Sequence, residues 1–308
     1  MVLIQMVGCG QQNIPLAYIQ NEGINQDNIL DGKVDSFASS LCVSDENVSG
    51  NSNFELEKES AAGLFDVNGK QVLYAKDIHE RLYPASLTKI MTALVALKYG
   101  NTEDTITATD NVLIQESGAQ LCGIKPGDKL TLDQALHALL IDSANDAGVA
   151  IAEHVGGSIE GFADLMNKEA VSIGATNSHF VNPHGLSDND HYVTVYDMYL
   201  IMNEAMKYDL FNEIIHMASY STVYYDKDGM EKEMSFETTN LFLKGNYKSP
   251  EKITVIGGKT GTTNAAGNCL ILVTKDTSGN PYISVILRAS ERTKLYEEMI
   301  ELLKEINN

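Results

Sequence analysis

Ser86-Leu87-Thr88-Lys89 sets a hydroxyl and an amine three residues apart where a helical apolar pattern begins, so both side chains project from one helix face and can meet. A serine hydroxyl becomes a nucleophile when a neighbouring base takes its proton. The positive end of a helix disfavours a protonated lysine by about 0.3–1 kcal/mol, and burial acts in the same direction. The pair therefore has the makings of an activated nucleophile, with Ser86 attacking and Lys89 as base. The same spacing recurs at Ser249-Pro250-Glu251-Lys252, but Pro250 and the lack of an apolar helical run behind it mark that copy as coincidence.

Two further groupings could complete such a site. Ser143-Ala144-Asn145 falls between two helical patterns, where a short turn can present a hydroxyl and an amide into a cleft; Ser49, Ser187 and Ser278 begin triplets of the same spacing in simple turn-rich settings. Lys259-Thr260-Gly261-Thr262 follows the strand-like run Ile253 to Ile256. There the lysine offers a cation, the threonines offer hydroxyls for a carboxylate, and Gly261 allows a ligand backbone to approach. A phosphate-binding loop is excluded for Gly257-Gly258-Lys259-Thr260, because Ile253 stands where that loop needs glycine and a strand follows instead of a helix.

The elements that must position these groups are legible in outline. Ala62 to Val67 and Val72 to Ala75 are short strands joined by Asn68-Gly69, which predicts a tight hairpin with positive φ at both central positions. Ser86 to Leu97, Leu132 to Ile141, Asn145 to His154 and Ile159 to Ile173 carry apolar residues at helical intervals, with a capping box at Thr131/Gln134 and a stop at Gly174. Ile253 to Ile256, Cys269 to Val273 and Tyr282 to Leu287 are strands, and Arg292 to Ile306 is an amphipathic closing helix. Strands from both ends of the ordered chain, with helices inserted between, predict an α+β fold. Its parts are an antiparallel sheet flanked by helices, an inserted helical subdomain, and a cleft at their junction.

Composition bounds the function. The 308 residues are 44% hydrophobic with a formal net charge of −20, which suits a large packed core and disfavours nucleic acid or an anionic membrane surface as partner. Residues 1–58 are rich in polar residues and are expected to be a lead-in or tether, possibly the end of a signal, ahead of a catalytic domain over 59–308. Cys9, Cys42, Cys122 and Cys269 lack metal-ligand spacing, and His184, His191 and the pair Glu213/His216 form no ligand set; no metal or other cofactor is expected. Met6-Val7-Gly8-Cys9 resembles a lipobox, which would make Cys9 a lipidated membrane tether. A monomer is the default expectation.

The order S-x-x-K, S-x-N, K-T-G is that of penicillin-binding proteins and class A β-lactamases, with Ala144 replacing the aspartate of S-D-N. A literal S-D-N lies at Ser187-Asp188-Asn189, but order and setting favour Ser143. Together with Pro84-Ala85, Asp146-Ala147, Asn182-Pro183-His184-Gly185-Leu186 and Thr263, these motifs resemble the low-molecular-weight D-alanyl-D-alanine carboxypeptidases over about Ala61 to Asn308. The resemblance implies the β-lactamase/DD-peptidase-like fold and an acyl-enzyme on Ser86 formed from peptidoglycan stem peptides, or from β-lactam antibiotics as inhibitors. It also implies Lys89 as base, Ser143 as proton relay to the leaving D-alanine, and Asn145 on the substrate amide. Lys259, Thr260 and Thr262 would take the terminal carboxylate, and the backbone N–H groups of Ser86 and Thr262 would form the oxyanion hole. An extracytoplasmic, secreted or lipid-anchored enzyme would follow. The alternatives are a β-lactamase, for which Glu160 to Asn167 lacks the Glu-x-x-x-Asn spacing, and a non-enzymatic β-lactam sensor or wall-binding module.

Overall fold

A computed structural model describes residues 38–50 and 56–307. The chain divides into two units, Met1–Ser40 and Leu41–Asn308. Almost all of the first, Cys9 included, lies outside the described residues; the second carries the strands, the helices and the three motifs.

Five strands form an antiparallel sheet in the order β2 (Gln71–Lys76), β1 (Ala61–Asp66), β9 (Pro281–Ala289), β8 (Gly267–Lys275), β7 (Thr254–Thr263). The strand period of two sorts their side chains into two cores. Ala61 and Phe65, Cys269, Ile271 and Val273, and Ile283, Val285 and Leu287 face the main core. Ala62 and Leu64, Leu270 and Leu272, and Ile286 face a smaller core closed by α7 (Arg292–Lys304) through Leu295, Tyr296, Met299, Leu302 and Leu303. Burial on both faces is why these strands read as continuous apolar runs and not as alternating ones.

The main core is filled by α1 (Thr88–Tyr99), which is buried on every side from Thr88 to Ala96, as a helix in the centre of a domain must be. Around it lie α2 (Leu132–His137), α3 (Asn145–Gly156), α4 (Ile159–Ser172), α5 (Val195–Ala205) and α6 (Asp209–His216). Thr131 and Gln134 form the expected capping box on α2. At the end of α4, Gly174 has φ +87° while Ala175 N–H donates to Ala170 O at 2.8 Å, the bond of a Schellman stop.

Two expectations need correcting. The inserted subdomain is not purely helical: β3 (Thr105–Thr107), β4 (Lys129–Thr131), β5 (Ser219–Tyr225) and β6 (Glu231–Glu237) form a second, four-stranded antiparallel sheet. The β1–β2 hairpin exists, but Asp66 pairs with Gln71 and leaves a four-residue loop in which Lys70, at φ +55°, is the left-handed residue, while Asn68 and Gly69 keep ordinary φ. Asp66 Oδ1 accepts from Gly69 N–H at 2.7 Å, so an Asx bond supplies what a two-residue turn would have required of the backbone.

Candidate active site

Ser86 lies in a short 3-10 turn, Ala85–Leu87, that leads into α1. The residue before it, Ala85, is buried with φ +48°, a conformation that costs a non-glycine residue about 1–2 kcal/mol. Two contacts hold it there. Gly185, itself at φ +87°, packs so closely that an added Cβ would stand 1.8 Å from Ala85 O. The Thr88 hydroxyl donates to Ala85 O at 2.9 Å and lies 2.8 Å from His191 Nε2. His191 Nδ1 accepts from Val181 N–H at 3.1 Å, so Nε2 carries the ring proton and donates to Thr88. Burial pushes His191 down to about 4, which keeps this relay neutral.

One turn further along α1, Lys89 is fully buried, with Nζ 2.9 Å from Ser86 Oγ, 2.6 Å from Asn145 Oδ1 and 2.8 Å from His184 O. Burial, and then the charge of Lys259, hold this amine well below the usual lysine range. A neutral amine has two N–H groups and one lone pair. Asn145 Oδ1 and the His184 carbonyl can only accept, so they take both N–H groups and turn the lone pair toward the Ser86 hydroxyl.

Ser143 and Asn145 come from an unusual corner. The predicted helix Leu132 to Ile141 is α-helical only to His137 and passes into a π turn over Ala138–Asp142, a rare conformation that concentrates at functional sites. The turn ends at Ser143 with φ +64°, which throws its side chain inward before α3 begins at Asn145. The corner is tied down by Asn145 N–H donating to Gln120 O at 2.8 Å. Asp146, whose carboxylate accepts from Cys122 N–H at 3.0 Å and Gly123 N–H at 2.8 Å, fixes the facing loop.

On β7, the free edge strand of the large sheet, Lys259 is buried and donates to Ser143 Oγ at 2.9 Å and to Thr260 O at 3.0 Å. Burial pushes Lys259 down to about 7, opposed by the negative charge of Asp142. The charge of Lys259 also lowers Lys89, so the two amines disfavour being protonated together. Gly261 packs on the nucleophile turn, where an added Cβ would stand 2.9 Å from Ser86 N. The Thr260 hydroxyl lies 2.6 Å from Thr239 Oγ1 in the loop after β6, and the Thr262 hydroxyl donates to Asn268 Oδ1 on β8 at 3.2 Å.

Ser86, Lys89 and Asn145 thus form one bonded set, Ser143 and Lys259 another, and the single turn 143–145 joins them. The second S-x-x-K is engaged elsewhere: Ser249 Oγ donates to Ile253 O at 2.6 Å. Ser187 is exposed and sits 3.1 Å from Thr263 Oγ1, past the end of the K-T-G segment. Asn167 is spent on the backbone of Phe180, with bonds of 2.8 Å to its N–H and its carbonyl. Among the described residues no group of acidic, histidine or cysteine side chains could hold a metal, and Cys42, Cys122 and Cys269 are free thiols. Sequence reasoning missed the parts played by Thr88, His191, Gly185 and the His184 carbonyl. The only signal was the Asn182 to Leu186 segment, which carried a resemblance but no role.

Comparison with known proteins agrees with this geometry. A family model described as D-alanyl-D-alanine carboxypeptidase, peptidase family S11, matches residues 48–291. The D-alanyl-D-alanine carboxypeptidase DacF of Bacillus subtilis is 34% identical over 257 residues, covering 81% of this chain and 62% of the relative. DacC of Escherichia coli is also 34% identical, over 78% of this chain and 59% of its own length. The chain therefore spans about three fifths of the length of the curated relatives it matches. Among solved structures, the Streptomyces K15 DD-transpeptidase superposes with a TM-score of 0.74 at 25% identity, covering 82% of this chain and 98% of that one. A D-alanyl-D-alanine carboxypeptidase from Mycobacterium tuberculosis gives 0.72 at 25% identity over 85% and 96%. Sequence, fold and the meeting of the three motifs in one cleft agree that this chain belongs to the serine-type D-alanyl-D-alanine carboxypeptidase family S11.

Proposed function

We propose that the chain removes the terminal D-alanine from peptidoglycan stem peptides through an acyl-enzyme on Ser86. The observation that carries this reading is the buried Lys89 amine 2.9 Å from Ser86 Oγ, held well below the usual lysine range by burial, with Asn145 Oδ1 and the His184 carbonyl placed to accept its N–H groups. In the first step Ser86 Oγ bonds to the carbonyl carbon of the penultimate D-alanine while its proton passes to Lys89. The oxyanion is met by the backbone N–H groups of Ser86 and Thr262, an arrangement in which one donor is typically worth about 10²–10³ in rate. Asn145 Nδ2 holds the substrate amide. The C–N bond then breaks as the proton taken up by Lys89 passes through Ser143 to the departing amine, which returns Lys89 to its neutral form. The terminal carboxylate is drawn to Lys259, Thr260 and Thr262. Water entering the vacated side attacks the ester carbon and gives a proton to Lys89, which passes it to Ser86 Oγ as the ester C–O bond breaks and the shortened peptide leaves.

A β-lactam presents the same carboxylate and a strained amide, so it acylates Ser86 as well. Its opened ring stays tethered and blocks the side from which water must come. This supports a penicillin-binding enzyme over a β-lactamase, since among the described residues no carboxylate bonds to Ser86 or Lys89. The substrate belongs to the wall, so the site of action is outside the cytoplasmic membrane. Tethering through Cys9 is part of the proposal, concerns residues outside those described, and is tested by searching the native protein for a lipid-modified N-terminus.

Stoichiometric release of D-alanine from a pentapeptide ending in D-alanyl-D-alanine is the expected result. No release, with rapid multiple-turnover hydrolysis of a chromogenic β-lactam, would make the chain a β-lactamase; neither activity would make it a sensor or wall-binding module.

A further inference from the structure

The chain has three arginines in 308 residues, and two of them, Arg81 and Arg288, line one recess of about 290 Å³. Its other walls include Tyr83, Asn189, Tyr192 and Ala265. Three of these walls stand close in sequence to residues of the site. Tyr83 stands three residues before Ser86, Asn189 two residues after Ser187, and Ala265 three residues after Thr262. Two walls are linked, Tyr83 OH donating to Asn189 Oδ1 at 3.3 Å, and the segment that carries Asn189 meets the end of β7 through Ser187 Oγ, 3.1 Å from Thr263 Oγ1.

The two guanidinium groups differ in what they are committed to. Arg288 is paired with Glu80 at 3.0 Å, and its Nε donates to Glu59 O at 2.6 Å. Arg81 lies over the Tyr192 ring at 4.7 Å and makes a long bond to Asn177 Oδ1 at 3.4 Å, and no described carboxylate pairs with it. On a chain of net charge −20, an arginine held over an aromatic face beside the cleft, with its charge uncompensated, is a local exception to a surface that repels anions.

The direction in which a substrate must lie supplies the ligand. With the terminal carboxylate at Lys259 and Thr260 and the scissile carbonyl between the Ser86 and Thr262 N–H groups, the rest of the peptide continues along the free edge of β7. It runs toward Thr263 and the turn at Asn264–Ala265, adding to the sheet as a strand. Ala265 is at most about 10 Å beyond Thr262 at strand spacing, the reach of about three peptide residues. We infer that the recess between Arg81 and Arg288 is an anion subsite for a carboxylate carried by the peptide within three residues N-terminal to the scissile D-alanine. Arg81 supplies the charge and Arg288, held by Glu80, shapes the wall. This rests on the reading of the cleft proposed above.

Two matched peptides test it, both ending in D-alanyl-D-alanine and differing only in the preceding residue, glutamate in one and glutamine in the other. A charge-assisted contact of this kind is worth about tenfold to a hundredfold in kcat/KM, borne mainly by KM, and Arg81→Ala should bring the ratio between the two peptides close to one. Equilibrium binding of the same peptides to Ser86→Ala should show the same preference, reduced in the Ser86→Ala/Arg81→Ala double variant and weakened by salt. Equal cleavage of both peptides by the unaltered protein, or a preference that survives Arg81→Ala, overturns the subsite and leaves the carboxypeptidase reading standing. Cleavage of neither peptide, with the binding preference present, overturns the activity and leaves the subsite.

Discussion

Replacing Gly185 with alanine probes how the nucleophile is held. The new Cβ would stand 1.8 Å from the Ala85 carbonyl oxygen, where real contacts do not fall below 3.0 Å, so the two backbones must part by about 1 Å or more. Ala85 is the residue before Ser86 and is already held at φ +48°, so the displacement passes directly to the reacting hydroxyl. A misplacement of about 1 Å at a reacting atom costs roughly a hundredfold in rate. The φ of +87° at Gly185 adds about 1–2 kcal/mol of strain in any case. Gly157→Ala separates the two effects, because Gly157 also has positive φ, +75°, with nothing within 4 Å of an added Cβ. Rates of Ser86 acylation by a fluorescent penicillin and thermal unfolding of both variants are the assays. Gly157→Ala should lower Tm by about 2–8 °C with normal acylation, at roughly 2–4 °C per kcal/mol for a domain of this size. Gly185→Ala should lower acylation by about a hundredfold as well. Acylation within a few-fold of normal in Gly185→Ala would refute the claim that this packing sets the position of Ser86.

The plot of kcat/KM against pH should be bell-shaped, rising as Lys89 loses its proton and falling as Lys259 loses its own. Both limbs should lie below the 10.5 of an ordinary lysine, because burial depresses both amines; a profile still climbing at that pH would contradict the assignment. Lys259→Ala should raise KM more than it lowers kcat and remove the alkaline limb. Thr88→Val should slow acylation by about tenfold, the worth of one buried hydrogen bond, with little change in KM, while Thr88→Ser retains the rate. His191→Phe combined with Thr88→Val should be no slower than the worse single variant if the two act through one relay, and additive losses would break that link.

The parts of the site most legible in the sequence were those whose chemistry is carried by residue type at short spacing. Ser86 and Lys89 share a helix face, and Lys259 lies on a strand followed by glycine; local pattern alone places both. The corner at Ser143 is located by the sequence but not its form, because no composition rule separates a π turn from one more α turn over the apolar run Ala138 to Ile141. Long-range packing is illegible. The contact between Gly185 and Ala85 joins positions a hundred residues apart in sequence, and His191 reaches Thr88 across 103. The second sheet escapes for different reasons: β3 and β4 are three residues each, too short to show a period, whereas Ser219–Tyr225 does alternate and is closed by Asp228-Gly229, a hairpin signal that the sequence reading passed over. The Asn68-Gly69 signal is misleading at face value, since Asp66 caps a longer loop.

The most direct test of the central claim, that Ser86 is the nucleophile of an acyl-enzyme, is intact-mass measurement after treatment with benzylpenicillin, followed by peptide mapping. One added penicillin per chain, stable over the measurement, mapped to Ser86 and lost in Ser86→Ala, is the expected result. An adduct that persists in Ser86→Ala, or that maps to Ser187 or Ser249, would contradict it.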